Sequence, residues 1–214
     1  MSQKQAIIEH AAMMFINHGI KAVRMDDIAR ELGISKRTLY EIFNDKEELL
    51  YLSIRHYTLL CRERRLESIA AIDNVLEVMI YNLREMIINA PTVSRLRRNL
   101  KRFYPKVYDR LEADAQGGSA DDIRGWIRDC VCQGYFTSTS DCDFVVRVIR
   151  DSVQGIMIYD RDQMQDSMKM ISLMSYSLVI FIRGLCTVRG IEIIDSCFDR
   201  YFGNIPSPDT LGGE

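Results

Sequence analysis

The chain has 214 residues, 47% hydrophobic and 27% charged, a globular balance with enough length for a small head and a larger body. A formal charge of −2 provides no overall field of the kind that marks a nucleic-acid or membrane-surface binder, so any such function must be local. No stretch reaches the roughly 18 apolar residues of a membrane span, and the N-terminus has no basic region ahead of an unbroken apolar core; a soluble, cytoplasmic protein without membrane contact is expected.

Glycine (12) and proline (4) are sparse and no strict apolar/polar alternation persists, which predicts an all-α fold. Ala6, Ile7, Ala11, Met14 and Phe15 form a helical stripe ending near His18-Gly19, with Gly19 expected in the left-handed position. Short helices follow over about 25–32 and 36–43. Asn44-Asp45 then caps a helix over 45–66, with Glu47 and Glu48 suited to its N-terminal dipole. Longer helices are expected over 73–89, 92–103, 106–132 (irregular at Gly117-Gly118), 141–159, 164–188 and 191–202. The tail, 204–214, holds two prolines and no core pattern and should fray. These elements divide the chain into a head (1–48), a body (49–203) and the tail. Six cysteines (Cys61, Cys130, Cys132, Cys142, Cys186, Cys197) lie in apolar-periodic segments and read as reduced, mostly buried thiols.

The stretch 25–43, MDDIARELGISKRTLYEIF, carries the functional signal. Ile28, Leu32, Ile34, Leu39 and Ile42 all face inward if two helices cross steeply through a tight turn. Ala29 then marks the closest approach of the axes and Gly33 the residue needing positive φ. That is a helix-turn-helix pattern. It leaves Ser35, Lys36, Arg37, Thr38 and Tyr40 displayed on the N-terminal half of the second helix, the part that enters a major groove. Lys36 and Arg37 reach guanine O6/N7 or phosphate, whereas Thr38 and the Tyr40 hydroxyl suit backbone oxygens. The alternative is a purely structural corner with a solvated face, used for protein contacts if at all: residues 1–50 hold seven Lys/Arg against eight Asp/Glu. Against it, Arg24, Lys36, Arg37 and Lys46 stand at the starts of three successive helices.

With one amphipathic helix before it, GIKAVRMDDIARELGISKRTLYEIFNDKEEL resembles the N-terminal DNA-binding domain of tetracycline-repressor (TetR) type regulators. The matching elements are Gly19, Asp27-Ile28-Ala29, Gly33-Ile34-Ser35-Lys36, Thr38-Leu39-Tyr40, Phe43, and Lys46-Glu47 followed by Leu49; they cover about residues 4–52. The resemblance implies phosphate contacts from Tyr40 and Lys46 and groove contacts from Ser35, Lys36, Arg37 and Thr38. Where the family commonly has a small hydroxyl residue capping the second helix this chain has Arg24, which cannot cap through an oxygen but adds a cation near the phosphates. Glu41 and Ile42 replace aromatic or imidazole groups and leave the base preference open.

The resemblance further implies a homodimeric, ligand-responsive repressor with a helical effector-binding and dimerisation body, reading a near-palindrome with heads roughly 34 to 36 Å apart. Met164, Met168, Ile171, Met174, Leu178, Ile182 and Leu185 make one stripe on 164–188, with Ser172 and Ser175 permitting close approach. Helix 141–159 would pair with it in an intersubunit four-helix bundle, unless 164–188 is buried wholly in its own subunit. Met79, Leu83, Met86, Phe103, Tyr104, Trp126 and Met157 are the candidate effector residues. The basic run Arg95, Arg97, Arg98, Lys101, Arg102 fits a solvated face, an anionic effector or a contact with flanking DNA. Three histidines on separate faces make no metal site, Cys130-x-Cys132 lacks zinc-finger or redox-motif spacing, and no Gly-rich phosphate loop or catalytic set appears. No cofactor and no enzymatic activity are expected; a redox role for Cys130 and Cys132 is the rival reading.

Overall fold

In the computed structural model the described residues are 2–114, 119–138, 141–159 and 164–203. Among them are ten helices and no strand. In chain order these are α1 (Gln3–His18), α2 (Met25–Glu31), α3 (Lys36–Ile42), α4 (Lys46–Ile69), α5 (Val75–Phe103), α6 (Pro105–Asp114), α7 (Ser119–Cys132), α8 (Cys142–Tyr159), α9 (Met164–Leu185) and α10 (Val188–Phe202).

The chain divides into two compact units, Met1–Leu66 with Arg95–Gln116, and Glu67–Ser94 with Gly117–Glu214. The first is larger than the head expected over 1–48. Its core joins Ile7, Ala11 and Phe15 of α1, Ile28 and Ala29 of α2, Leu39 of α3 and Leu49, Leu50 and Ile54 of α4 to Leu100 and Val107 from much later in the chain. Leu100 and Val107 are almost fully withdrawn from water, so the three short helices share their core with α5 and α6 residues. In the second unit Leu76, Met79, Ile80, Leu83 and Ile87 of α5 pack with Ile123 and Ile127 of α7, Val145 and Ile149 of α8, and Leu178 and Ile182 of α9.

Several boundaries depart from the sequence expectation. The break expected between 89 and 92 is absent, since α5 runs unbroken through Pro91. Proline removes the hydrogen bond to the Ile87 carbonyl and crowds that carbonyl with its ring, and the burial of Ile87, Ala90 and Ser94 on the adjoining turns offsets the cost. The span 106–132 is two helices, α6 and α7; Gly117-Gly118 lies outside the described residues, as does the tail 204–214. Helix α9 stops at Leu185 rather than 188. There the backbone is taken by an isolated antiparallel bridge, in which Thr137 N–H donates to the Leu185 carbonyl (2.9 Å) and Thr187 N–H to the Tyr135 carbonyl (2.8 Å). The Thr187 hydroxyl also accepts from Gly190 N–H and so starts α10 at Val188. Gly190 is obligatory at this junction because a Cβ would collide with the Tyr135 carbonyl. Gly19 ends α1 at φ 87° and ψ 142°, positive φ but not the left-handed helical backbone expected.

All six cysteines are free thiols, but fewer are buried than expected. Cys130, Cys186 and Cys197 are buried, Cys142 is half-buried, and Cys61 and Cys132 are exposed. Cys61 lies on the solvated stretch of α4 and Cys132 at the end of α7. No helix among the described residues is long and apolar enough to cross a membrane.

Candidate nucleic-acid interface

The corner is built as the residue pattern requires. Gly33 sits at φ 66°, where a side chain would be strained. Ile34 N–H donates back to the Ala29 carbonyl (3.0 Å), pulling the chain round, and Ala29, Ile28 and Leu39 are buried between α2 and α3. Ser35 caps α3: its Oγ accepts from Thr38 N–H at 3.0 Å and lies 2.8 Å from Thr38 Oγ1. Helix α4 is capped by Asp45, whose Oδ1 accepts from Glu48 N–H, while Glu48 Oε2 accepts from Asn44 N–H.

Arg24 does not leave α2 without a start. The missing hydroxyl is compensated from inside the helix: Asp27 Oδ2 accepts from Arg24 N–H (3.0 Å) and Asp27 N–H donates to the Arg24 carbonyl (3.1 Å). The Arg24 N–H and then the Arg30 guanidinium hold the Asp27 carboxyl below the usual carboxylate range. Arg24 itself stays exposed.

With Leu39 locked inside, α3 presents Ser35, Lys36, Arg37 and Tyr40 to solvent, Tyr40 at 45% exposure, with Thr38 half-buried beside them. The two cations are not open. Lys36 Nζ lies 2.8 Å from Asp26 Oδ1, and that hydrogen-bonded pair raises the lysine's pKa. Arg37 Nε lies 2.8 Å from Glu41 Oε1. The second pairing is legible as an i,i+4 spacing; the first bridges the corner across ten residues and has no sequence signal. Lys46 is held differently. Its ammonium donates to the Ile20 carbonyl at 2.7 Å and stands 5.3 Å from the centre of the Tyr104 ring, which fixes the α1–α2 turn to the start of α4.

The candidate effector residues do not form one set. Met79 and Leu83 are fully buried in the second unit's core, with Met86 and Trp126 packed partly exposed against it. Phe103 and Tyr104 belong to the first unit, and the Met157 side chain lies outside the described residues. A cleft of about 430 Å3 in the first unit, lined by residues such as Asn44, Glu47, Tyr51, Lys106 and Arg110, includes none of the seven. Across the described residues no three His, Cys, Asp or Glu side chains are grouped to hold a metal. Burial pushes the Cys130 thiol up to about 12, so the inner member of the Cys130/Cys132 pair is a poor nucleophile near neutral pH.

Residues 7–51 match the family model described as bacterial regulatory proteins, tetR family. The chain carries the helix-turn-helix domain of the tetR family. An HTH-type transcriptional regulator of Staphylococcus aureus (strain USA300) is 42% identical over 52 residues, 24% of this chain and 28% of that protein, so the matched segment spans little more than a quarter of the relative. Beyond the domain the likeness is one of fold. A TetR-family transcriptional regulator from Marinobacter aquaeolei VT8 superposes with a TM-score of 0.68 at 15% identity, covering 94% of this chain and 99% of that one. The regulator AibR, in complex with isovaleryl coenzyme A and operator DNA, gives 0.55 at 19% identity over 83% and 98% of the two chains. The tetR-family match thus falls on the segment that holds the corner, the capped α3 and Lys46.

Proposed function

We propose that this TetR-family protein is a cytoplasmic, homodimeric repressor that binds a near-palindromic operator through the major groove and is released by a small-molecule effector. The observation that carries the reading is the outward run Ser35 to Tyr40 on a helix whose orientation is fixed by buried Leu39 and by Gly33 at φ 66°. Lys36 and Arg37 address base edges; Arg24, Thr38, Tyr40 and Lys46 position the head on phosphates.

Dimerisation is supported by apolar surface left outside the second unit, though not by the stripe the periodicity marks. Leu178 and Ile182 are buried in the unit's own core, as are Ser172 and Ser175, while Met174 and Leu185 pack against it. The opposite face of α9 carries Leu173, Ser177, Ile180 and Gly184 at offsets of 4, 7 and 11, all exposed, with Ile180 at 70%. On α8, Phe144 is 57% exposed and makes an edge contact with Phe181 of α9. Large aliphatic and aromatic groups beside a small-residue track suit a second copy of the same helix pair. A small-molecule effector is supported by the AibR likeness, a protein of related fold seen in complex with isovaleryl coenzyme A and operator DNA.

The test is to select duplexes bound by the full chain from a random pool, measure affinity against salt, and screen small molecules for release. A half-site repeated about one helical turn apart with steep salt dependence is the expected result. No enrichment, or affinity indifferent to salt, would remove the DNA-reading function and leave the corner as a protein-contact element.

A further inference from the structure

The basic run at the end of α5 is not absorbed by this function, and its geometry sets it apart from the cations of α3. The segment KRFYPK, residues 101–106, places Lys101, Arg102 and Lys106 around the α5–α6 corner with no acidic residue among them, and all three are exposed. The corner's two rings are bound to the head. Phe103 lies under Lys21 of the α1–α2 turn, Nζ 4.9 Å from the ring centre, and Arg102 packs on the same ring at 5.2 Å. Tyr104 carries Lys46, which in turn donates to Ile20. The corner therefore stands against Ile20-Lys21, three residues before Arg24, and against Lys46, the first residue of α4 and itself a candidate phosphate contact.

Its electrostatic state is also the reverse of that of α3. Among the described residues Lys21, Lys101, Arg102 and Lys106 have no carboxylate within ion-pair distance, whereas Lys36 and Arg37 are both paired. Asp45, Glu47 and Glu48 line the cleft that Lys106 borders, and Glu48 already takes the Asn44 N–H and Lys4; Asp109 lies one turn along α6 from Lys106 without pairing with it. Arg97 is committed to Glu112 and Tyr108 and is left out. Lys21 and Arg102 rest on the Phe103 ring, and Lys101 and Lys106 are exposed on the same corner; together they present the positive charge that a line of phosphates requires.

We propose that the α5–α6 corner, with Lys21, is a second and sequence-indifferent contact for the DNA backbone, gripping phosphates that flank the half-site read by α3. This rests on the DNA-reading function proposed above. The test uses the full chain, a 30-base-pair duplex recovered from the random pool and an unrelated duplex of equal length. Affinity is followed by anisotropy over a salt series for the wild type, for Lys101→Gln/Arg102→Gln/Lys106→Gln, and for Arg147→Gln/Arg150→Gln/Arg189→Gln, which removes the same charge from the second unit. The corner variant should lose about 0.9 in log–log salt slope for each phosphate given up, with roughly two per head, and should weaken on both duplexes by the same factor. The second-unit variant should keep the wild-type slope. Should the triple change disturb the Phe103 packing, Lys106→Ala alone reads the same effect at one phosphate.

A corner variant with the wild-type slope, or an equal loss from the second-unit variant, overturns the corner contact and leaves the regulator function standing. A wild type without salt-dependent affinity for either duplex overturns both.

Discussion

The two compact units differ in what they leave facing water. In the first, the outward residues of the short helices α2 and α3 are polar, namely hydroxyls, cations and the acids that pair with them, over a core closed by Leu39, Ile28 and Leu49. In the second, the notable outward residues are apolar, namely Phe144, Leu173 and Ile180, over a core built from five helices. The partners proposed above would explain the contrast. Duplex DNA offers phosphates and base edges at regular intervals, so its reader must place particular donors in a particular order, whereas a matching helix pair asks only for shape and apolar area.

The sharpest way to break the first unit is from inside. Leu39→Ala should cost about 2–5 kcal/mol, read as a lower urea midpoint, and should abolish operator binding while every DNA-facing side chain is still present. Binding retained at wild-type strength would mean that α3 does not need its buried anchor.

The second unit should respond in the opposite way to a change on its surface. Ile180→Asp removes about 1.5–3 kcal/mol of apolar burial per copy from the proposed dimer. Sedimentation should shift toward monomer with little change in unfolding midpoint. A dimer of unchanged strength would place the interface elsewhere.

These two changes also mark what the sequence makes legible. The corner, its glycine and the outward run from Ser35 are set by local spacing, which the chain prints directly. The partition of α9 is not. Apolar residues occupy more than one of its faces, so periodicity alone favours Met174, Leu178 and Ile182 for the partner, and only packing against α8 and α10 reveals that this face is turned inward. The unbroken α5 was hidden for a related reason: Pro91 is a local stop signal overridden by burial on both sides of it. The effector candidates are large apolar residues, a class shared with ordinary core, and so they scatter over both units.

Smaller effects separate roles within the head. Arg37→Ala should lose about 1–3 kcal/mol on the selected duplex and relax its base preference, while Tyr40→Phe should lose about 0.5–1.5 kcal/mol equally on all duplexes. Equal loss on every sequence from Arg37→Ala would reassign that side chain to phosphate.

The smallest contrast is one of pH. Burial pushes the thiols of Cys130 and Cys186 up to about 12 from an ordinary 9.0, so above pH 9 the unfolded chain loses protons that the folded second unit retains. That contribution is fully present below pH 9 and fades as pH rises toward 12. In the first unit the Asp27 carboxyl is lowered from 3.8, so its contribution is present above that value and lost as pH falls below it. Denaturation followed at both extremes should show the second unit yielding first in alkali, with Asp27→Asn removing part of the acid sensitivity of the first. Alkylation near neutral pH should label Cys61 and Cys132 and spare Cys130, Cys186 and Cys197.

The exposed pairs of Lys36 with Asp26 and Arg37 with Glu41 give the recognition helix a resting disguise. Each pair is a weak surface bond, cheap to open, yet while it is closed a passing stretch of chromosome meets a helix with its charges already answered. In the proposed repressor, lingering on random sequence would then be discouraged at the reading head itself, leaving more time for the search for the operator.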